Sequence, residues 1–133
     1  MKISMDRNEM DVKVITQLLN DTYWATERDE KTVSLSMEHS DCIAVIDHGT
    51  LIGFARIVTD YTTVFWLCDV VVSRQHRGKG IGKMMMNYIR NLDYYKALKG
   101  ILATKDAFGL YEQYGFVKSD RFMSKDRGAD GHL

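Results

Sequence analysis

Neither sign of charge is in excess in this chain. Its 133 residues carry 18 lysines and arginines against 18 aspartates and glutamates, so no overall field favours nucleic acid or an anionic membrane surface. Cysteine is scarce. Cys42 and Cys68 both fall inside apolar, strand-like runs, which argues against a disulfide framework and for buried, reduced thiols. No apolar run is long enough to span a bilayer, and the opening Met1-Lys2-Ile3-Ser4-Met5-Asp6 lacks the apolar stretch of a signal peptide, so a cytoplasmic location is expected. His39, His48, His76 and His132 show no metal-ligand spacing, and no metal is expected. The length allows one compact domain and leaves little room for a second. Residues 1–123 are expected to form it, with a polar, glycine-containing tail over 124–133.

What the chain does possess is Arg77-Gly78-Lys79-Gly80-Ile81-Gly82-Lys83, set between an apolar run ending at Val72 and a helical pattern that continues to Leu92. Alternating glycines let a backbone pass close to a ligand, and the following helix directs its unpaired N–H groups and positive dipole end at the same place. Such a corner binds anions, above all phosphates. Arg74 and His76 add to its charge. A P-loop is excluded, because the positions that need glycine and Ser or Thr hold Arg77 and Met84. A dinucleotide fingerprint is excluded as well, because its third glycine would fall at Lys83 or Met85. What remains is Arg-x-x-Gly-x-Gly.

Taken in order, Lys2 to Asp6 can form a short strand. Val14, Ile15, Leu18 and Leu19 then recur at helical spacing behind Asp11 as N-cap. Tyr23-Trp24-Ala25-Thr26-Glu27-Arg28 is a polar and aromatic connection, open both to packing and to a binding role. Residues 29–39 fit either period, and a short helix is favoured. Cys42 to Ile46, a turn at Asp47-His48-Gly49-Thr50, and Leu51 to Val58 read as a hairpin, with Gly53 marking a bulge or a close approach. After the turn at Asp60-Tyr61-Thr62-Thr63, Val64 to Val72 reads as a central strand covered on both faces. Ile81, Met84, Met85, Tyr88, Ile89 and Leu92 make the clearest amphipathic helix. Lys99 to Thr104 is then a strand parallel to the central one, and Asp106 is placed to cap a last helix from Ala107 to Tyr114, ended by Gly115.

That last segment, Ala107-Phe108-Gly109-Leu110-Tyr111-Glu112-Gln113-Tyr114-Gly115-Phe116, follows the glycine loop at a second recognisable spacing. The two motifs together resemble the GNAT superfamily of N-acetyltransferases, in which the loop holds the pyrophosphate of acetyl-CoA, and the resemblance covers residues from about Cys42 to Phe116. It implies a single α/β domain with a mixed, mainly antiparallel sheet of about six strands and about four flanking helices, splayed between two strands at the cofactor site. The chain departs from the family in having Ser73-Arg74-Gln75-His76 where members often carry a proline, and Thr104 where they often carry an asparagine.

The resemblance implies acetyl-CoA as cofactor, held by Arg77 to Lys83, by free backbone N–H groups around Val70, Val71 and Val72, and near Thr104 and Ala107. Tyr111 matches the motif tyrosine whose hydroxyl lies near the CoA sulfur. Asp69, the one ionisable residue in the central apolar run, must face a cleft or find a partner. By alternation it shares a face with Leu67 and Val71. It is read either as an amine anchor and proton relay or as the salt-bridge partner of Arg56. The acceptor site is expected from Tyr23, Trp24, Glu27, Arg28 and Tyr61, with Phe122-Met123 nearby, and Glu27 or Asp60 could bind a cation. The expected reaction is direct transfer to a small-molecule amine in a ternary complex. A protein-lysine or N-terminal acetyltransferase and a non-catalytic acyl-CoA sensor are the alternatives, and a homodimer is compatible with open sheet edges.

Overall fold

Alternation along one strand decides the layering. In β2 (Asp41–Asp47), Ile43 and Val45 enter one core while Cys42, Ala44 and Ile46 enter another, so the sheet is covered on both faces. A computed structural model describes residues 1–127 and shows the α/β architecture directly. Among the described residues, five strands stand in sequential order: β1 (Lys2–Ser4), β2, β3 (Thr50–Thr59), β4 (Val64–Val72) and β5 (Lys99–Ile101). The first three junctions are antiparallel and β4 to β5 is parallel. That is one strand fewer than expected. The residues from Val117 to Arg127 carry no alternating apolar face to bury, and they form none. Of the expected tail, residues 128–133 lie outside the described residues, and 124–127 are exposed without secondary structure.

Among the described residues, four α-helices cover the sheet. α1 (Val12–Asn20) starts at Asp11, whose carboxylate accepts from the Lys13 N–H at 2.9 Å, and buries Ile15 and Leu19. α2 (Glu30–Glu38) resolves the ambiguous stretch as a helix: Val33 and Met37, one turn apart, are buried, while Leu35 between them is 48% exposed. A strand would have buried all three. Both helices pack with Phe54 and Val71 on one face. On the other, α3 (Ile81–Arg90) buries Ile81, Met85, Met86 and Ile89 against Ile43, Val45 and Ile57, so its methionines are core. α4 (Phe108–Glu112) joins that second core through Tyr111.

Two local turns are as the sequence predicts. His48 (φ 50°) and Gly49 (φ 76°) close the β2–β3 hairpin with the two positive φ angles that a type I′ turn requires. After α4, Gly115 (φ 89°) and Phe116 donate their N–H groups to Glu112 and Tyr111 carbonyls at 3.3 Å each, a Schellman ending. The start of α4 differs from expectation. Asp106 does not cap it: Ala107 holds the N-cap position without a side-chain cap bond, and the Thr104 hydroxyl accepts from the Ala107 N–H at 3.0 Å in the turn that leads in. Gly53 meets its expected neighbour, since a Cβ there would lie 3.3 Å from Ile81 Cγ2 at the head of α3. Among the described residues no helix is long and apolar enough to cross a membrane.

Candidate active site

β4 and β5 part company early. They pair only from Val64–Lys99 to Trp66–Ile101, after which β4 runs on alone to Val72 on that side. Every second residue of a strand directs its N–H and C=O to the same edge, so the stretch past Trp66 presents backbone groups to the gap. Leu102, Ala103 and Thr104 diverge along the other wall, which shortens β5 from the length the sequence predicts. The result is a cleft of about 840 Å³.

A β-bulge shapes its floor. Phe54 pairs with Val71 but Arg56 pairs with Cys68, so β4 carries one extra residue, and Asp69 sits there at φ 54°. The insertion switches the phase of the strand. Leu67 packs into the α3 core and Val71 into the α1–α2 core, so Asp69 does not share one face with both, as simple alternation predicts. Asp69 is 5% exposed and bonded at both oxygens: Oδ2 accepts from Arg28 Nη1 at 2.7 Å and from Arg56 Nε at 2.8 Å, and Oδ1 accepts from Trp24 Nε1 at 3.2 Å. Arg56 also donates through Nη1 to the Ser40 hydroxyl at 3.0 Å. The carboxylate thus fastens the α1–α2 connection to the sheet.

The opposite end of the cleft is the glycine loop. Gly78 (φ 76°) and Gly80 (φ 82°) are both left-handed, and a Cβ on either would meet nothing within 4 Å. Glycine is required there for backbone conformation, and the open space leaves room for a ligand. Asp21, at the C-terminus of α1, clamps the approach: Arg74 Nε reaches Oδ2 at 2.7 Å and Arg74 Nη2 reaches Oδ1 at 2.6 Å, a two-bond pairing. Arg77 Nε donates to the Val72 carbonyl at 3.0 Å, and its Nη2 lies 3.7 Å from Asp21. Lys79 and Lys83 are exposed. Donor-rich backbone, a helix N-terminus and unneutralised lysines are a donor set suited to a pyrophosphate.

Tyr111 lines the cleft from α4. It is 8% exposed, and burial, reinforced by Tyr23 and Asp106, pushes its phenol up to about 12. Among the described residues its hydroxyl has no partner, and it is not sealed from solvent. Cys68 also lines the cleft, but burial, only partly offset by Arg56, pushes its thiol up to about 11, and the thiol donates to the Arg56 carbonyl at 3.4 Å. It is therefore protonated at neutral pH and a poor nucleophile.

Of the residues expected to receive a substrate, Tyr23, Trp24 and Arg28 line the cleft. Tyr23 accepts the Lys105 N–H at 3.1 Å and packs edge-on to Trp24 at 5.0 Å, tying the α1–α2 connection to the β5–α4 wall. Glu27 is exposed and outside the lining. Tyr61 is outside too: it sits in the β3–β4 turn at the far end of β4, where its hydroxyl donates to Asp41 at 2.5 Å. Asp60 is no cation site, because its oxygens accept the Thr63 hydroxyl at 2.6 Å and the N–H groups of Thr62 and Thr63, which hold it well below the usual carboxylate range. Val71 and the Ile81 side chain face the cores, so only their backbone could serve a ligand. Phe122 reaches the site indirectly by stacking on Trp66 at 5.5 Å, while Met123 is 92% exposed. Arg56 pairs with Asp69, one of the two readings of that carboxylate, whereas Asp21, Cys68 and Lys105 join the site without a place in the sequence reading. The one sequence signal was a carboxylate, Asp21, close ahead of the two aromatic residues.

Residues 38–118 match the acetyltransferase (GNAT) domain family. The chain is 33% identical to a GNAT-family protein of Xanthomonas campestris pv. campestris, over 98% of this chain and 94% of that one, with a TM-score of 0.89. It is 29% identical over 113 residues to an uncharacterized N-acetyltransferase of Porphyra purpurea; the match takes in 78% of this chain and spans only 63% of that relative's length. An aminoglycoside 6′-N-acetyltransferase crystallised with coenzyme A is 25% identical, over 68% of this chain and 53% of that protein, with a TM-score of 0.59.

Proposed function

This chain belongs to the GNAT acetyltransferase family, and from that premise we propose that it transfers the acetyl group of acetyl-CoA to a primary amine of a small molecule, by direct attack in a ternary complex. The observation that carries the reading is the gap between β4 and β5, with the glycine loop at one end and Trp24, Arg28 and Asp69 at the other. One end suits a phosphate-bearing cofactor and the other an acceptor, so the two substrates meet at the splay. Acetyl-CoA, when bound, supplies a thioester whose acyl carbon accepts the amine nitrogen as the C–S bond breaks and the thiol leaves.

The chain's own residues divide the remaining work. Gly78 to Lys83 and Arg77 would hold the pyrophosphate, and the backbone of β4 between Val70 and Val72, at the residues whose N–H groups turn to the gap, would position the cofactor's amide arm and acyl oxygen. Thr104 and Ala107 shape the second wall. Tyr111 keeps its proton throughout the neutral range and gives it to the departing sulfur; one proton from the amine, passed through cleft water, restores it. Asp69, with its oxygens engaged by three donors, holds the acceptor end in shape and is not the base in this reading. The protonated Cys68 thiol supports direct transfer over an acyl-cysteine intermediate. The Tyr23–Lys105 tie narrows the entrance and favours a small acceptor over a peptide.

Calorimetric titration with acetyl-CoA, with dephospho-CoA and adenosine diphosphate as comparators, followed by an amine screen reading CoA release, tests this. Acetyl-CoA binding stronger than that of adenosine diphosphate, and release of CoA only when an amine is present, are expected. Absence of acetyl-CoA binding would overturn the reading.

A further inference from the structure

The acceptor end of the cleft holds more positive charge than it neutralises. One carboxylate, Asp69, faces two guanidiniums, and both of them bond the same oxygen, Oδ2. Lys105 adds a further cation on the opposite wall and Asp106 a further anion, so the local balance remains positive. An ammonium ion arriving here would meet a carboxylate whose charge is already shared by two guanidiniums, and would face two like charges.

The unused donors are more informative than the sum of charges. Arg28 contacts Asp69 through Nη1 alone, so its Nε and Nη2 have no partner among the described residues. Those two N–H groups form one complete edge of the guanidinium, the edge that grips a carboxylate or phosphate with two parallel bonds. Arg56 has Nη2 free as well, its Nε and Nη1 going to Asp69 and Ser40. The side chains are 21% and 15% exposed, and none of the unpartnered nitrogens is sealed from solvent. Asp69 thus takes one N–H of each guanidinium, and both arginines line the cleft with donors to spare.

We infer that the acceptor is an amine that also carries an anionic group, a carboxylate or a phosphate, and that the Nε–Nη2 edge of Arg28, assisted by Arg56, is what selects it. This rests on the acetyl-transfer reading and names its substrate class. The anion docks at Arg28 beside the Trp24 indole, which sets the amine at a fixed distance from it toward the β4–β5 gap. Asp69 is then a positioning residue for the receptor, not a partner for the amine.

The test uses matched amines that differ only in the anion: phenylalanine against phenethylamine, phosphoethanolamine against ethanolamine, and glucosamine 6-phosphate against glucosamine. With acetyl-CoA saturating, the anion-bearing member of at least one pair is expected to show kcat/KM roughly 10- to 100-fold above its anion-free counterpart, the range for a charge-assisted hydrogen-bonded pair. The pairs that respond distinguish carboxylate from phosphate. Arg28→Gln should erase most of that preference through KM, with acetyl-CoA affinity retained by calorimetry; Arg28→Lys should restore only part of it, having charge without the planar edge. A thermal-shift titration with N-acetylphenylalanine and N-acetylphenethylamine reads the same preference without turnover. Anion-free members performing as well as anion-bearing ones, no anion-bearing member accepted by a protein that binds acetyl-CoA, or a preference that survives Arg28→Gln would each overturn the inference. Failure to bind acetyl-CoA would instead remove the acetyl-transfer reading, and the thermal-shift arm would still decide whether the anion receptor exists.

Discussion

Replacing Asp69 by Asn isolates the charge at the centre of the site. Asparagine is nearly isosteric and is the side chain after glycine that best tolerates the positive φ found here, so the bulge itself is not penalised. Its amide oxygen can still accept from Trp24. What is lost is the anion between Arg28 and Arg56, which leaves two guanidiniums facing each other with nothing to offset them. Breaking a buried ion pair costs about 3–5 kcal/mol. Asp69 itself is 2% exposed at the side chain, but its partners are 21% and 15% exposed, and water reaching them reduces the penalty to about 2–4 kcal/mol. For a domain of this length the expected fall in Tm is roughly 7–14 °C. Circular-dichroism melts of the wild type and variant measure it, and the cycle with Arg28→Gln should recover roughly 1–2 kcal/mol in the double variant, because one cation is removed together with the anion. A loss below roughly 3 °C, or strictly additive single losses, would mean that the three side chains are not an energetic unit. The kinetic arm separates two roles: a positioning Asp69 leaves the shape of the pH–rate profile unchanged, whereas a base would remove its acidic limb.

Further outcomes follow from the same geometry. Tyr111→Phe should lower turnover about ten- to a thousandfold while acetyl-CoA affinity is kept, and unchanged turnover would remove Tyr111 from the chemistry. Gly80→Ala places a Cβ in open space but at φ 82°, so it should destabilise by about 1–2 kcal/mol through backbone strain alone, and weaken acetyl-CoA binding measured by calorimetry. Cys68→Ala should retain activity, and iodoacetamide should alkylate Cys68 slowly at pH 7, accelerating toward pH 11. Cys42 and Cys68 are both raised by burial from 9.0 to about 11, so the folded state holds these protons more tightly than the unfolded one. The stability they contribute is complete below pH 9 and is lost as pH rises through about 11, which urea titrations at stepped pH would register.

The legible parts of this protein are those whose physics is local. Left-handed glycines in the loop, the type I′ pair His48-Gly49, the buried stripe of α3 and the Schellman ending at Gly115 each depend on residues a few positions apart. Residues 29–39 needed the sheet to decide them, because Val33 and Met37 satisfy both periods and only the burial of one helical face distinguishes them. Asp106 looks like a cap from its place ahead of the last helix, but the helix starts one residue later than the spacing suggests, with Ala107 at the N-cap. The placement of Tyr61 in the acceptor site failed for a related reason: aromatic character does not say at which end of a strand a turn lies.

The sequence by itself determined the family, the left-handed glycine corner ahead of α3 and the tyrosine on the last helix, since short motifs encode backbone conformation directly. Only the tertiary structure decided what Asp69 does. Its partners Arg28 and Trp24 stand 41 and 45 positions away, and a single inserted residue in β4 reversed the face that alternation assigns. Charge pairing across such distances is fixed by strand register and by where a bulge turns the chain, and neither is written in the spacing of any one segment.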